Sequence, residues 1–336
     1  MGILLAVDPV FLEHDSGPGH PERPARLEAV ERGITEAGLD DAIERVDAAP
    51  ASRASVERVH KGQYLDAVER FCDHGGGYLD GDTHVGPRSY EAALLAAGAG
   101  LAVAERLAAG EGDVGLCAVR PPGHHATIAR AMGFCLINHV AVTAAELAAH
   151  GERVAIIDYD AHHGNGTQDI FYEHPDVLYV SMHEWPMYPG TGRLDEVGEG
   201  AGHGTTLNLP FPAGTTGDVY RRAVDDVIAP RLAGFAPTRL LISAGFDGHR
   251  RDPLTDLGLA AGDFADLTVA LAELVPEAPP LLFLEGGYDL TALAVSVGAS
   301  LSALVDDGAY RPESSTTGGP GRQVCRDAQL VQAAIS

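Results

Sequence analysis

The sequence of 336 residues predicts an α/β fold with a central, mostly parallel sheet. Two observations lead to this prediction. Short, nearly continuous apolar runs are typical of strands covered on both faces, and they occur at residues 3–7, 116–119, 154–157, 177–180, 240–242 and 281–284. Ala- and Leu-rich stretches predict helices between them, at about 90–109, 137–150, 218–232, 262–274 and 290–304. Strands that alternate with helices form βαβ units and a parallel sheet.

The composition is that of a globular protein with a sizeable core, since hydrophobic residues make up 45% of the chain. The net charge of −25 disfavours nucleic acid and anionic membranes as partners, and it suits cationic substrates. Charged or polar residues interrupt every apolar stretch before it reaches membrane-spanning length. The N-terminal segment also lacks the basic region of a signal peptide. We therefore expect neither a nucleic-acid nor a membrane partner.

Cysteine usage indicates the compartment. None of the cysteines forms a Cys-x-x-Cys pair, and they stand at Cys72, Cys117, Cys135 and Cys325. This pattern favours buried free thiols in a reducing compartment over disulfides or a thiolate metal site. We therefore expect a cytoplasmic protein.

A polar, glycine-containing loop follows each internal strand. The loops read RPPGHHA (120–126), DYDAHHGNGTQ (158–168), SMHEWPMYPGTG (181–192), SAGFDGHRRDPL (243–254) and EGGYDL (285–290). In an open parallel sheet, ligands bind beyond the carboxyl ends of the strands. These loops therefore predict a functional site at one edge of the sheet.

Asp160 and His162 predict half of a zinc site. They are two residues apart at a strand end, so their side chains lie on one side of an extended segment. Asp247, which ends the sequence LLISAGFD (240–247), is the best candidate for the third ligand. Two carboxylates and a neutral imidazole balance the charge of Zn²⁺ and leave a coordination position for water and substrate. The alternative is that Asp160 and His162 only cap turns.

The adjacent His124 and His125 suit general acid and base catalysis, because imidazole titrates in the required range. An anionic partner such as Asp158 would keep one ring charged, and a neutral partner such as Asn165 would leave the other free to exchange protons. Asp158 has a second possible role in holding a monovalent cation. The alternative for the pair is a surface or core position without a catalytic task.

Tyr288 follows Glu-Gly-Gly, and the glycines permit a close backbone approach to a metal. A phenol at this position can donate a hydrogen bond to a developing oxyanion. Taken alone, Tyr288 fits a core position as well.

Together these motifs resemble the histone deacetylase superfamily. The resemblance runs in order from about residue 14 to 305, and it includes HPERPARL (20–27) and GFC (133–135). PPGHH and HHGNGTQ are similar to the class II branch and to its bacterial relatives, the histone deacetylase-like and acetylpolyamine amidohydrolases.

The resemblance implies a three-layer αβα fold of the arginase/deacetylase type with an eight-stranded, mostly parallel sheet. We expect one catalytic domain over residues 1–310. Residues 311–336 form a partly irregular extension, because their Gly- and Ser-rich composition differs from the preceding chain, with a last short helix near 327–335.

The resemblance also implies residue roles. It assigns Zn²⁺ to Asp160, His162 and Asp247, and it makes His125 the main base and acid with His124 as its electrostatic partner. It implies that Tyr288 polarises the carbonyl and that Asp158 and Asn165 orient the histidines. It implies a structural K⁺ at Asp158, Asp160, His162, Ser181 and Met182, and a second cation site at Phe171, His174, Val177 and Thr205. It places Gly133, Phe134 and Tyr188 in a narrow channel that suits a lysine stem.

The substrate is less defined. Some polyamine-deacetylating relatives carry an acidic residue where this chain has Leu254, so an acetyl-lysine or simple acylated amine is favoured over a polyamine. Arginase itself, a di-manganese enzyme, needs further carboxylates that residues 160–164 lack. The alternatives are an acetylpolyamine or small-metabolite deacetylase and a non-catalytic regulatory protein on the same scaffold. The oligomeric state stays open.

Overall fold

The computed structural model describes residues 2–335. Within them, one sheet of eight strands has only parallel pairings, in the order β2-β1-β5-β10-β9-β6-β7-β8. Its strands are β1 (Ile3–Ala6), β2 (Ile43–Arg45), β5 (Val114–Cys117), β6 (Val154–Asp158), β7 (Val177–Glu184), β8 (Thr206–Phe211), β9 (Arg239–Ala244) and β10 (Leu281–Leu284). An antiparallel ribbon of β3 (Gly77–Tyr78) and β4 (His84–Val85) stands apart from this sheet.

The helices pack in two groups that flank the sheet. They are α1 (Ala25–Glu36), α2 (Arg53–Val56), α3 (Gly62–Asp73), α4 (Ser89–Ala108), α5 (His139–Ala149), α6 (Asn165–Phe171), α7 (Gly217–Ala223), α8 (Ala229–Phe235), α9 (Ala261–Glu273), α10 (Leu290–Val305) and α11 (Arg322–Ile335). Helices α1, α9 and α10 pack together in one group, and α4 and α5 in the other. The predicted three-layer αβα fold with an eight-stranded parallel sheet is confirmed.

The central strands were predictable because both of their faces are covered. Every residue of β6 and β7 is buried, which requires a continuous apolar run. The edge strands were missed because exposure in β2, and buried polar residues in β8, interrupt the apolar run. Strand β2 has three half-buried or exposed residues, and β8 carries polar Thr206 and Asn208. Strand β5 begins and ends two residues earlier than predicted, at Val114 and Cys117.

The helix from 217 to 235 contains a π-helical turn at Val224–Ile228 between α7 and α8. Helices α1 and α3 were not predicted. Among the described residues, no helix has the length and apolar character that crossing a membrane requires.

The C-terminal segment is partly irregular and is hydrogen-bonded to the rest of the chain. The Arg311 guanidinium donates to both carboxylate oxygens of Asp266 at 2.8 Å, and Thr316 N donates to Asp263 Oδ1 at 2.9 Å. Helix α11 starts at Arg322, five residues before the predicted start at 327. The domain boundary at residue 310 stays a prediction.

The strand order explains why the functional loops converge. Strands β5, β10, β9 and β6 are consecutive neighbours in the sheet, and β7 follows β6. All run in parallel, so the loops that follow them leave the same edge. This is the edge at which the sequence predicts a site.

Candidate metal and catalytic site

Asp160, His162 and Asp247 form a candidate metal site. One ligand atom from each residue lies within 4.8 Å of the others. His162 Nδ1 is 3.1 Å from Asp160 Oδ1 and 2.9 Å from Asp247 Oδ2. Both carboxylates are buried, and burial together with the charge of Asp160 raises the pKa of Asp247. Two carboxylates and one imidazole at this spacing fit a divalent cation of the zinc type.

Backbone groups fix the orientation of both carboxylates. Asp160 Oδ2 accepts a hydrogen bond from Gly286 N at 2.7 Å, and Asp247 Oδ1 accepts one from Ala161 N at 2.9 Å. A Cβ atom on Gly286 would lie 2.2 Å from Asp247 Oδ2 and 2.7 Å from Asp160 Oδ2. The Gly-Gly-Tyr loop therefore lies so close to the carboxylates that any side chain at residue 286 would clash with them.

His124 is held by an anionic partner. Its Nδ1 lies 3.0 Å from Asp158 Oδ2, which also accepts a hydrogen bond from the Tyr179 hydroxyl at 3.1 Å. Burial lowers the pKa of His124, but the charges of Asp158, Asp160 and Glu285 outweigh it and raise that pKa to about 10. These carboxylates therefore favour the imidazolium form of His124.

His125 has a neutral partner. Its Nδ1 lies 2.8 Å from Asn165 Oδ1, an oxygen that can only accept, so Nδ1 carries the proton and Nε2 keeps a free lone pair. Burial and the charge of His124 lower the pKa of His125 well below 6.5. The two imidazole centroids are 4.0 Å apart. The two rings therefore have different partners, one anionic and one neutral, and their catalytic roles stay a prediction.

A cavity of about 230 Å³ opens over these groups. Its lining contains the predicted residues His124, His125, Gly133, Phe134, His162, Tyr188, Leu254 and Tyr288. The Tyr188 ring is 5.2 Å from that of His125, and the Phe134 ring is 6.0 Å from that of Tyr288, measured between centroids. The predicted channel residues thus line the same cavity as the candidate metal ligand His162.

Four lining residues were not predicted, namely Asp82, Pro122, Met187 and Gly286. Asp82 lies between β3 and β4, whose two-residue strands give almost no periodic signal. The Asp-Gly-Asp sequence at 80–82 was the available signal, since it is typical of a turn. The same ribbon supports the channel, because Thr83 Oγ1 accepts a hydrogen bond from Phe134 N at 3.1 Å.

Tyr288 is 9% exposed and remains a hydrogen-bond donor at neutral pH, because burial raises its pKa well above 10. The guanidinium carbon of Arg26 lies 5.1 Å from the centre of its ring. Its backbone N donates to Asp252 Oδ2 at 2.7 Å. Tyr288 lines the same cavity as the candidate metal ligand His162.

The predicted potassium sites involve groups that lie near one another. Asp158 stands opposite Ser181 in the register of β6 and β7, and Ser181 Oγ is 2.8 Å from His183 Nδ1. In the second set, the Thr205 hydroxyl lies 3.2 Å from the carbonyl oxygen of His174. Both potassium sites stay predictions.

Comparison with known proteins identifies the family. Residues 20–304 match the model of the histone deacetylase domain. The chain belongs to the histone deacetylase family. This family membership supports a hydrolase activity.

Similar proteins extend across bacteria, archaea and plants. The chain is 38% identical to a probable deacetylase of Archaeoglobus fulgidus, covering 90% of this chain and 88% of the relative. It is 37% identical to a histone deacetylase-like amidohydrolase of Pseudomonas aeruginosa, covering 83% and 75% respectively. The crystal structure of the HDA15 HD domain superposes with a TM-score of 0.91 at 35% identity, covering 99% of this chain and 94% of that one.

Proposed function

We propose that this family member is a zinc-dependent deacetylase that hydrolyses the acetyl amide of an N-acetyl-lysine side chain or a similar acylated amine. The observation that carries the proposal is the convergence of Asp160, His162 and Asp247 beside a neutral His125 and the Tyr288 phenol. The products are the free amine and acetate.

Asp160, His162 and Asp247 would hold the zinc ion. A bound zinc ion supplies a Lewis acid that polarises the amide carbonyl and lowers the pKa of water. Zinc suits this donor set because the two carboxylates and a neutral imidazole sum to a charge of −2.

The chain's own residues perform the proton transfers. His125 Nε2 takes a proton from the water that attacks the carbonyl carbon, since its Nδ1 is committed to Asn165. The Tyr288 hydroxyl donates to the carbonyl oxygen as negative charge develops on it. When the carbon–nitrogen bond breaks, a histidine returns a proton to the amine. The positive charge of His124, sustained by Asp158, stabilises the negative charge of the tetrahedral intermediate.

The cavity lining supports a substrate with a slender apolar stem. Phe134 and Tyr188 supply aromatic walls, and Leu254 adds an apolar surface. An acetylated lysine side chain carries such a stem. A second candidate is an acetylpolyamine, which Asp82 favours because its carboxylate lines the same cavity and would attract a distant ammonium group. The buried free cysteines support the cytoplasmic location that we propose.

The test is a fluorogenic acetyl-lysine assay with acetylputrescine and acetylspermidine as competing substrates. We expect acetyl-lysine hydrolysis that a chelator abolishes and zinc restores, and no activity in Asp247→Ala. Asp263→Asn is the matched control, since this buried aspartate of α9 lies outside the cavity lining. Chelator-resistant hydrolysis would refute zinc dependence. Faster hydrolysis of an acetylpolyamine would transfer the proposal to the second candidate, and inactivity on all three substrates would contradict both.

A further inference from the structure

We infer that Asp252 is a positioning residue that holds Tyr288 in the cavity, an inference that rests on the proposed function. Asp252 lies on the loop that follows β9, and Tyr288 lies on the loop that follows β10. The two loops contribute Leu254 and Tyr288 to the cavity lining. Asp252 itself is absent from that lining, so its effect on the reaction must pass through other residues.

The Asp252 carboxylate is committed to backbone amides of both loops. Its Oδ2 accepts hydrogen bonds from Tyr288 N at 2.7 Å and from Asp289 N at 3.3 Å. Its Oδ1 accepts one from Leu254 N at 3.0 Å. The side chain is buried, with 8% of its surface exposed. Both of its oxygens thus bond to backbone amides, and the side chain connects the β9 and β10 loops.

The Asp252 backbone is itself anchored. Its N donates to His249 O at 2.7 Å, and Thr255 Oγ1 donates to Asp247 O in the same loop. These hydrogen bonds fix the loop that carries both Asp252 and the candidate metal ligand Asp247.

Tyr288 needs such an anchor because of the residues before it. Gly286 and Gly287 precede it, and Gly287 has a φ of +119°, a conformation that few other residues adopt. Glycines have no side chain that fixes the backbone, so its position depends on hydrogen bonds. Gly286 N donates to Asp160 Oδ2 at 2.7 Å and Arg26 Nε donates to Gly287 O at 2.7 Å, and the Asp252 carboxylate continues this series at Tyr288. Phe134 and Arg26 contact the ring, and Asp252 holds the backbone N of the residue that carries the ring.

A double-mutant cycle of Asp252→Ala and Tyr288→Phe tests this inference. We expect Tyr288→Phe to lower kcat by about 10²- to 10³-fold. Asp252→Ala should lower kcat by about 10²-fold, as a small misplacement of a catalytic group does, with KM and zinc content unchanged. In the Tyr288→Phe background, Asp252→Ala should cost no more than about twofold, because the donor that it positions is already gone.

Hydrogen exchange gives a readout that does not depend on activity. Asp252→Ala should speed exchange of the Tyr288 and Asp289 amides in the holoenzyme. The control Asp263→Asn should not, although Asp263 also accepts backbone amides, from Ala260 at 2.8 Å and Thr316 at 2.9 Å. Should Asp252→Ala fail to fold, Asp252→Asn replaces it, since one acceptor oxygen remains.

The outcomes separate the inference from the proposed function. Multiplicative losses in the double variant, or unchanged exchange of both amides, would overturn the inference while the deacetylase proposal stands. Full activity in Tyr288→Phe would remove the role of the phenol and the inference with it. A wild-type enzyme without amidase activity would refute the proposed function alone, and the exchange experiment would still decide whether Asp252 holds the Tyr288 backbone.

Discussion

At the scale of single residues, the absence of a side chain at Gly286 leaves room for the two carboxylates of the candidate metal site. A Cβ atom there would approach Asp247 Oδ2 to 2.2 Å and Asp160 Oδ2 to 2.7 Å, well inside van der Waals contact. Gly286→Ala should therefore displace both carboxylates and weaken zinc affinity by at least about tenfold, with activity lost in parallel. Zinc titration monitored by competition with a chromophoric chelator measures the change.

The matched control for this prediction is Gly234→Ala in α8, where an added Cβ meets no atom within 4 Å. Alanine is the better helix former, so this variant should keep wild-type zinc affinity and stability. Equal zinc affinities in the two variants would show that Gly286 does not shape the site.

Candidate site residues could be named from the sequence where they lie close together in one short segment. Asp160 and His162 are two residues apart and His124 and His125 are adjacent, and the neighbouring motifs, rather than this spacing alone, favour a half-site and a catalytic pair. Asp252 was not found, because its partner amide at Tyr288 is 36 positions away. The local sequence does not distinguish a carboxylate that accepts hydrogen bonds from a distant backbone segment from one that faces solvent.

At the scale of elements, the C-terminal segment supports the loop that carries Asp247. The Glu313 carboxylate accepts from Ala261 N at the start of α9 at 3.0 Å and lies 2.7 Å from His249 Nε2. His249 Nδ1 accepts a hydrogen bond from Arg251 N at 3.2 Å, so Nε2 carries the proton and donates to Glu313. One side chain of the extension thus joins the β9 loop and α9.

Glu313→Ala should lower the free energy of unfolding by about 1–3 kcal/mol, because it leaves the buried His249 N–H without an acceptor. Chemical denaturation followed by circular dichroism measures this change in the free energy of unfolding. Arg311→Ala is the control, since it removes an exposed ion pair to Asp266 in the same segment and should cost at most about 1 kcal/mol. Equal losses in the two variants would indicate that the segment is only loosely attached and would favour the domain boundary at residue 310.

Prediction of elements succeeded in the interior and failed at the periphery. Strands β6, β9 and β10 are flanked by neighbours and form continuous apolar runs. The edge strands β2 and β8 pair on one side only, so polar residues are tolerated in them. The β3–β4 ribbon is fixed by tertiary contacts such as the Phe134–Thr83 hydrogen bond, which no local pattern encodes.

At the scale of the whole molecule, stability depends on buried histidines that must stay neutral. His60 joins three parts of the chain, since its Nε2 accepts from Asn138 N at 2.9 Å and its Nδ1 lies 2.9 Å from the carbonyl oxygen of Thr127. The Nε2 lone pair is occupied, so protonation would break the bond to Asn138. Burial lowers the pKa of His60 to about 4, and burial likewise lowers that of His14 to about 4.

The sign of the pH dependence follows from these values. Between the unfolded pKa of 6.5 and the folded pKa of about 4, the unfolded chain binds more protons at His60 than the folded protein does. The contribution of His60 to stability is therefore complete above pH 6.5 and declines as the pH falls towards 4. The difference between the unfolded pKa of 6.5 and the folded pKa of about 4 corresponds to about 3 kcal/mol in the free energy of unfolding.

His60→Gln isolates this contribution. The amide of Gln can accept from Asn138 N and donate to Thr127 O, as neutral imidazole does, but it does not titrate in this range. The free energy of unfolding, measured by denaturation at pH 7 and pH 4.5, should fall less in His60→Gln than in the wild type. His14 titrates in the same window in both proteins, so the difference between the two curves belongs to His60. Parallel curves for His60→Gln and wild type would show that the folded protein accommodates a charged His60, contrary to the hydrogen bonds that fix it in the neutral form.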